Sequence, residues 1–523
     1  MVRRAALAGA AAAVLLLPAA PIAGAAASTA APAGGAADRC AALAAAGAFR
    51  GVQVDAAQLT PAAWTSPAVS NRNAQPVAAS VCRVQGRIEG DVGFEVWLPV
   101  DGWNGRFLGT GVGGNAGYLN YTDMARGVGL GFAAASTDTG HSLEDVSWVA
   151  DPRKVANYAN VAHHRLAEVS KAMLARFYGE PARHAYFIGC SGGGRQALKV
   201  VQDFPADYDG VIAGAPGLDL VTLSARHLGA SLHALRDPDA AVSPAAWDAI
   251  GQAAVKACDT DDGVTDGVVA NPAACRFDPA SLACGTTASS VCLTPKQLAT
   301  VQAISAPLTV GGRDVDPGLL PGVTPRPGPP PALARSIFGH LAHGDANWNP
   351  IGFDPDKDVP PAWKGLPTMA AEKTDVAAFA KRGGKLIVYH GLIDPATLPQ
   401  PTTAYVEAAK ASVAKAGGPD FARLYLAPGM LHCQGGPGAD RFGQAGDRVT
   451  ADDPRSNALS ALVRWVEEGQ APQDLRASKI EAGRTIFTRK LCPHPQAAVY
   501  NGVGDPDSAD SFVCRAPADG DKE

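Results

Sequence analysis

Tyr186-Phe187-Ile188-Gly189-Cys190-Ser191-Gly192-Gly193-Gly194-Arg195 decides how the chain is read. An apolar, strand-like run enters a Gly-x-Ser-x-Gly turn, and a helical segment, Gln196 to Phe204, leaves it. A turn this sharp leaves no room for side chains beside the serine, which is why glycines flank it. The helix start behind it supplies unpaired N–H groups and the positive end of a macrodipole, both suited to a developing oxyanion. Ser191 is therefore the candidate nucleophile, and the Gly192 N–H the first candidate oxyanion donor. The competing reading is a glycine-rich strand-to-helix turn with an ordinary serine, and the flanking sequence decides between them.

Upstream, alternating apolar residues in Val81 to Ile88 and Val92 to Leu98 predict antiparallel strands. The strand Trp103 to Leu108 runs into the glycine-rich loop Gly109 to Gly117. A loop of this kind after an apolar strand is where a second oxyanion N–H is placed, and Gly113 and Gly114 are the candidates. A dinucleotide-binding loop is the rival, but Gly-x-Gly-x-x-Gly is only loosely met and no helix is read as opening there. Another strand, Gly129 to Ala135, leads into Ser136-Thr137-Asp138-Thr139-Gly140-His141, and a long helix is predicted from about Val155 to Phe177. Beyond the elbow, Tyr208 to Pro216 reads as a further core strand. The alternation of strand and helix predicts a mostly parallel sheet covered on both faces.

Residues 217–369 differ in character: four cysteines, dense proline in Pro321 to Pro331, and few strand signals. The core pattern resumes with Lys385 to Asp394, the strand Leu424 to Leu426, and an amphipathic helix from about Asn457 to Glu467. The expected fold class is α/β, an α/β-hydrolase fold with a large inserted lid domain. Core segments span 40–216 and 370–523, and the lid spans 217–369.

With 523 residues, 47% of them hydrophobic and 18% charged, the chain can bury a large core. A net charge of -5 leaves no electrostatic footprint for nucleic acid. Arg3 and Arg4, the apolar Ala5 to Leu17 and small-residue sites near Ala25 to Ala27 read as a signal peptide over 1–27. A disordered linker over 28–39 follows. The paired arginines permit twin-arginine export without establishing it. No later apolar run is long enough to cross a bilayer. The mature protein is expected to be secreted or periplasmic, with its ten cysteines in disulfides.

Ser, acid and His follow one another along α/β-hydrolase chains, and Ser191, Asp394 and His432 each come just after a strand-like run. His432 would take the serine's proton, and Asp394 would hold the imidazole in the right tautomer. His390 and His141 are the competing histidines. Cys190 precedes the serine and Cys433 follows the histidine. A Ser–His hydrogen bond would bring the two sulfurs into disulfide range, so a Cys190–Cys433 bridge is expected to clamp nucleophile and base together.

A second site is expected in the insertion. Cys258-Asp259-Thr260-Asp261-Asp262-Gly263-Val264-Thr265-Asp266-Gly267-Val268 packs four carboxylates into eight positions. Like charges this close repel unless neutralised, and oxygen-only ligands favour Ca²⁺. Asp259, Asp262 and Asp266 by side chain and Val264 and Val268 by carbonyl are the expected ligands, with Asp261 facing water. A Cys258–Cys275 bridge would close the loop. The alternative is a solvated acidic turn.

These residues resemble the tannase and feruloyl esterase family, which also contains the bacterial hydrolase of mono(2-hydroxyethyl) terephthalate. The likeness is carried by Trp103-Asn104-Gly105-Arg106-Phe107, Ser136 to His141, Phe177-Tyr178-Gly179, Gly189 to Arg195, Asp209-Gly210, the Cys258 to Val268 loop and His432-Cys433. Such a resemblance implies a Ser191–Asp394–His432 triad bridged by Cys190–Cys433 and a structural Ca²⁺ in the lid. It further implies the pairings Cys40–Cys82, Cys258–Cys275, Cys284–Cys292 and Cys492–Cys514. Family members often carry Thr or Glu after the serine, where this chain has Gly192. Trp348 lies in a segment resembling part of the family's lid. The implied activity is a secreted serine carboxylesterase acting on feruloyl, other hydroxycinnamoyl or galloyl esters, free or attached to plant polysaccharide or polyphenol. A mono(2-hydroxyethyl) terephthalate-type hydrolase is the alternative within the class. A catalytically silent, calcium-dependent phenolic-binding protein is the alternative outside it.

Overall fold

The computed structural model describes residues 34–69, 74–260, 262–285, 291–449 and 451–516. The expected signal peptide, most of the linker and Asp261 lie outside them. Regular structure starts with a helix at Ala36–Ala41, inside the expected linker and ahead of the Cys40 boundary. Its alanines favour helix, and Cys40, buried in its last turn, is bonded to Cys82.

Nine strands form the central sheet: β1 (Val52–Thr60), β2 (Val81–Ile88), β3 (Val92–Pro99), β4 (Arg106–Thr110), β5 (Ala133–Thr137), β6 (His184–Cys190), β7 (Gly210–Gly214), β8 (Lys385–Gly391) and β9 (Ala422–Ala427). Their order is β1-β2-β3-β5-β4-β6-β7-β8-β9. The pairs β1–β2, β2–β3 and β3–β5 are antiparallel, and every later pair is parallel. The α/β-hydrolase class follows from this sheet and from the helices on its two faces. Strand β1 lies outside the strands predicted from the sequence, because its alternation, Val52-Gln53-Val54-Asp55, breaks at a bulge before Ala56.

Alternating side chains divide the sheet between two cores. Phe187, Val211 and Val388 point to one side and pack with Leu166, Phe177 and Leu198 of α1 (Ala162–Tyr178) and α2 (Gly192–Asp203). Ile188, Ile212 and Tyr389 point to the other and pack with Leu459, Leu462 and Trp465 of the helix Ala458–Glu468, whose N-cap is Asn457. The single helix expected from Val155 is three pieces: Pro152–Ala156, a π turn at Asn157–Val161, and α1. A helix also follows the glycine-rich loop, Tyr121–Gly129 capped by Asn120, contrary to the sequence reading. It starts beyond Gly117, so its N-terminus is separated from the glycines.

Strands β7 and β8 are parallel neighbours, with Val211 opposite Leu386, yet the long segment between them adds nothing to the sheet. It holds α3 (Leu220–Arg236), further helices at Pro244–Cys258, Pro295–Ser305, Ala332–Phe338 and Pro355–Gly365, and a small hairpin at Leu308–Val310 and Arg313–Asp316. The Ala371 N–H donates to the Leu218 carbonyl (2.8 Å), so the chain leaves and returns at one neck. Leu228, Ile337 and Phe338 of this segment share a core with Tyr118, Trp148 and Tyr158. Trp348 stacks on His343, with ring centroids 4.5 Å apart. The C-terminal part, read as core, ends in two strand pairs outside the main sheet: Leu475–Glu481 with Arg484–Leu491, and Ala497–Tyr500 with Phe512–Arg515.

His163 on α1 is wholly buried against the edge of Phe187, with the Gln196 side chain beside it. Burial pushes its pKa down to about 3, so the native ring is neutral. Unfolded histidine titrates near 6.5, so native stability is complete above that pH and declines as pH falls toward 3. The slope is at most about 1.4 kcal/mol per pH unit. His163→Phe should flatten this part of the acid-denaturation profile, measured by urea unfolding between pH 4 and 7, with little change at pH 7.

Candidate active site

Ser191 caps the N-terminus of α2 with φ 63° and ψ -123°, a left-handed backbone that L-residues rarely adopt. Its N–H donates to the Gly214 carbonyl (2.9 Å), anchoring the turn to β7. The glycines are a steric necessity. A Cβ on Gly189 would lie 2.4 Å from the Gly193 carbonyl oxygen, and one on Gly194 would lie 2.2 Å from that of Gly214.

The acid and imidazole come from the loops after β8 and β9. These loops pack backbone to backbone, since a Cβ on Gly391 would lie 2.3 Å from the Met430 carbonyl oxygen. His432 Nδ1 lies 2.7 Å from Asp394 Oδ2. A carboxylate can only accept, so Nδ1 carries the proton and Nε2 keeps its lone pair as the base requires. Asp394 is fully buried, whereas the His432 side chain is 27% exposed and so open to the site. Burial opposes ionisation of Asp394, but hydrogen bonds from His390 and His432 outweigh it and hold the carboxyl well below the usual range. The Ala396 and Thr397 N–H groups donate to its Oδ1 at 2.8 and 3.1 Å.

Neither competing histidine takes the place of the base. His390 is completely buried, with Nδ1 3.0 Å from Thr402 Oγ1 and Nε2 between the Thr397 carbonyl (3.0 Å) and Asp394 Oδ2 (3.2 Å), so it supports the acid and has no exposed face for a substrate. His141 sits on the glycine-rich loop, its Nε2 2.6 Å from the Asn115 carbonyl, and burial lowers its pKa so that it stays neutral.

Cys190 and Cys433 are joined, with Cα atoms 6.0 Å apart across 243 residues of sequence. The bridge holds nucleophile and histidine loops together, although no hydrogen bond links Ser191 Oγ to His432 among the described residues. That contact differs from the sequence expectation; such bonds often tighten only once substrate is bound. The other cysteines pair as Cys40–Cys82, Cys258–Cys275, Cys284–Cys292 and Cys492–Cys514.

The loop facing the elbow is fixed by side chains that the sequence reading passed over. Gln196 Oε1 accepts the Val112 N–H (2.9 Å), tying the loop to α2. Tyr158, from the π turn, donates its hydroxyl to the Gly114 carbonyl (2.7 Å), and Trp148 donates to Asn115 Oδ1 (2.7 Å). The Gly113 N–H is already engaged by the Tyr118 hydroxyl at 3.1 Å. The Gly114 and Gly192 N–H groups have no partner among the described residues, and Gly114 N lies 3.4 Å from the point where a Gly192 Cβ would be. A π turn that aims a side chain into a site is a recurrent device, yet a continuous helical pattern in the sequence conceals it.

In the acidic loop, Asp259 accepts the Asp266 and Gly267 N–H groups at 3.2 and 2.8 Å. Asp262 Oδ1 accepts from Val264 N–H, and Asp266 Oδ1 from Val268 N–H. Asp266 Oδ2 is paired with Arg489 at 2.6 Å. Among the described residues no three acidic, histidine or cysteine side chains converge as a metal-holding group. The Val264 and Val268 carbonyls have no backbone partner there. The donors are all oxygen, as a hard cation needs, but the guanidinium of Arg489 competes for Asp266.

A strained serine at the tip of β6, an Asp–His pair on the loops after β8 and β9 and the unpartnered N–H groups of Gly192 and Gly114 place the chain in the α/β-hydrolase class. The family model of tannase and feruloyl esterase matches residues 77–319 and 353–515. The chain belongs to this family and is a carboxylic ester hydrolase. It is 32% identical over 469 residues to a probable feruloyl esterase B-1 of Aspergillus terreus, covering 85% of this chain and 88% of that protein. It is 31% identical to feruloyl esterase C of Talaromyces stipitatus, covering 86% and 88%. The crystal structure of feruloyl esterase B from Aspergillus oryzae superposes with a TM-score of 0.83 at 27% identity, covering 92% of this chain and all of that one.

Tyr158→Phe removes the hydroxyl that holds Gly114 and leaves the ring packing in place. Ester hydrolysis should fall about tenfold, the scale of a small misplacement of a transition-state donor. The loss should appear in kcat rather than KM, measured by steady-state kinetics on a chromogenic ester.

Proposed function

We propose that the chain is an exported serine esterase that hydrolyses esters of aromatic acids, of feruloyl, hydroxycinnamoyl or galloyl type, through an acyl-enzyme. The observation that carries this reading is the His432–Asp394 pair, whose tautomer leaves Nε2 free on a loop bridged to the residue before Ser191. Ser191 Oγ attacks the ester carbonyl as its proton passes to His432 Nε2, which then protonates the departing alcohol. Water gives a proton to the same nitrogen, attacks the acyl-enzyme and releases the acid. The N–H groups of Gly192 and Gly114 receive the oxyanion; Gly113, bound to Tyr118, serves to fix the loop. Feruloyl substrates are supported by the names of the relatives, and the ester is taken either free or on plant polysaccharide or polyphenol. Mono(2-hydroxyethyl) terephthalate is a second ester of the same chemistry.

Export is supported by the signal-like N-terminal sequence and by five disulfides with no free cysteine among the described residues. No described helix is long and apolar enough to cross a membrane. The acidic loop is further proposed to hold Ca²⁺ through the side chains of Asp259, Asp262 and Asp266 and the carbonyls of Val264 and Val268. The ion would neutralise a strand of carboxylates and competes with Arg489 for Asp266.

Ser191→Ala should abolish burst release of p-nitrophenol from an aromatic p-nitrophenyl ester, and wild type should show a burst. Equal rates would leave the phenolic-binding alternative standing. Chelation should release about one equivalent of calcium, detected by elemental analysis, and lower the Tm by several degrees. A metal-free protein with unchanged Tm would reduce the loop to an acidic turn balanced by Arg489.

A further inference from the structure

Helix α3, the first of the inserted segment, lies against the site. The Gly217 N–H, just before it, donates to the Ser191 carbonyl at 3.3 Å. Leu223 Cδ2 and Thr397 Cγ2 lie 3.4 and 3.7 Å from the point where a Gly217 Cβ would stand, so Leu223 is beside both the nucleophile turn and the acid loop. One turn later, on the same helix face, His227 Nε2 lies 2.9 Å from the Ala396 carbonyl, two residues from Asp394.

A carbonyl only accepts, so Nε2 carries the ring proton and Nδ1 of the neutral ring is a lone-pair acceptor. Burial holds the His227 pKa below the ordinary value; the bond to Ala396 and the charge of Asp394 oppose this, and Arg226 and His432 reinforce it. The ring is therefore neutral near pH 7, and Nδ1 has no hydrogen-bond partner among the described residues. The residue keeps part of its surface exposed. A polar acceptor left unpaired beside an Asp–His pair, next to the apolar Leu223, has the make-up of a ligand-orienting group in a mostly apolar pocket.

We propose that His227 is a specificity-determining residue whose Nδ1 accepts a hydrogen bond from a hydroxyl of the ester substrate, with Leu223 beside it as apolar wall. This rests on the esterase reading above. The hydroxyl could belong to the phenol of the acid half or to the alcohol half, and the same chemistry recognises both.

The test compares kcat/KM of wild type, His227→Leu and His227→Gln on methyl cinnamate, methyl p-coumarate and 2-hydroxyethyl cinnamate. Wild type should favour one hydroxyl-bearing ester over methyl cinnamate by about tenfold, the scale of one hydrogen bond; which ester is favoured identifies the source of the hydroxyl. His227→Leu should erase that preference and leave methyl cinnamate within about twofold, while His227→Gln, which retains a donor and an acceptor, should restore part of it. A structural role would instead lower all three esters in parallel, and that result overturns the proposal. So does a wild type that shows no preference for either hydroxyl, a readout independent of whether the variants fold. If wild type hydrolyses none of the three, the esterase reading itself has failed, which is distinguishable from hydrolysis of all three without preference.

Discussion

The covalent link between Cys190 and Cys433 is the constraint on which the rest of the site depends. It ties the residue before the proposed nucleophile to the residue after the proposed base, and both flanking turns adopt positive φ, Ser191 at 63° and Cys433 at 63°. Strained turns of this kind persist only where surrounding structure over-determines them. Here the determinants are the bridge, the anchoring of Ser191 to β7 and the close stacking of the Gly391 and Met430 backbones. The Asp–His pair is thereby delivered to the serine by backbone rather than by flexible side chains.

Around that clamp the polar groups divide into two sets. One surrounds Asp394: two backbone N–H groups and two histidines keep it ionised despite complete burial. The other holds the loop between β4 and the helix at Tyr121–Gly129 through Gln196, Tyr118, Tyr158, His141 and Trp148. In the second set uncharged side chains do the positioning. A fixed dipole next to a developing oxyanion needs no reorganisation when charge appears, which is how such sites gain electrostatic stabilisation.

Much of this was legible in the sequence, because the elbow is local. Glycine spacing, the strand before the serine and the order Ser, Asp, His are each visible within a few residues, and the paired cysteines extend that local reading to a contact across the chain. What stayed hidden depends on side chains meeting from afar. The choice between Gly113 and Gly114 turns on the Tyr118 hydroxyl, and the loop's hold on Tyr158 depends on a π turn that leaves no trace in an apolar pattern. The Arg489–Asp266 pair spans 223 residues, so nothing in the acidic loop announced its guanidinium partner. The C-terminal strand pairs escaped because half-exposed strands lack a clean period, and β1 because its alternation breaks at the bulge before Ala56.

The neck at Leu218 and Ala371 has a consequence for how this scaffold can diversify. Two chain ends already within hydrogen-bonding distance present the same pair of attachment points whatever is spliced between them. Closing a longer excursion costs little extra, since the entropy penalty grows only with the logarithm of its length. The strand ends that carry Asp394 and His432 lie outside the spliced segment, whereas the walls above them would be replaced. The exchange has a condition: Leu228, Ile337 and Phe338 share a core with the Tyr118, Trp148 and Tyr158 that hold the Gly113–Gly114 loop, so any new insertion must refill that core to keep the loop in place.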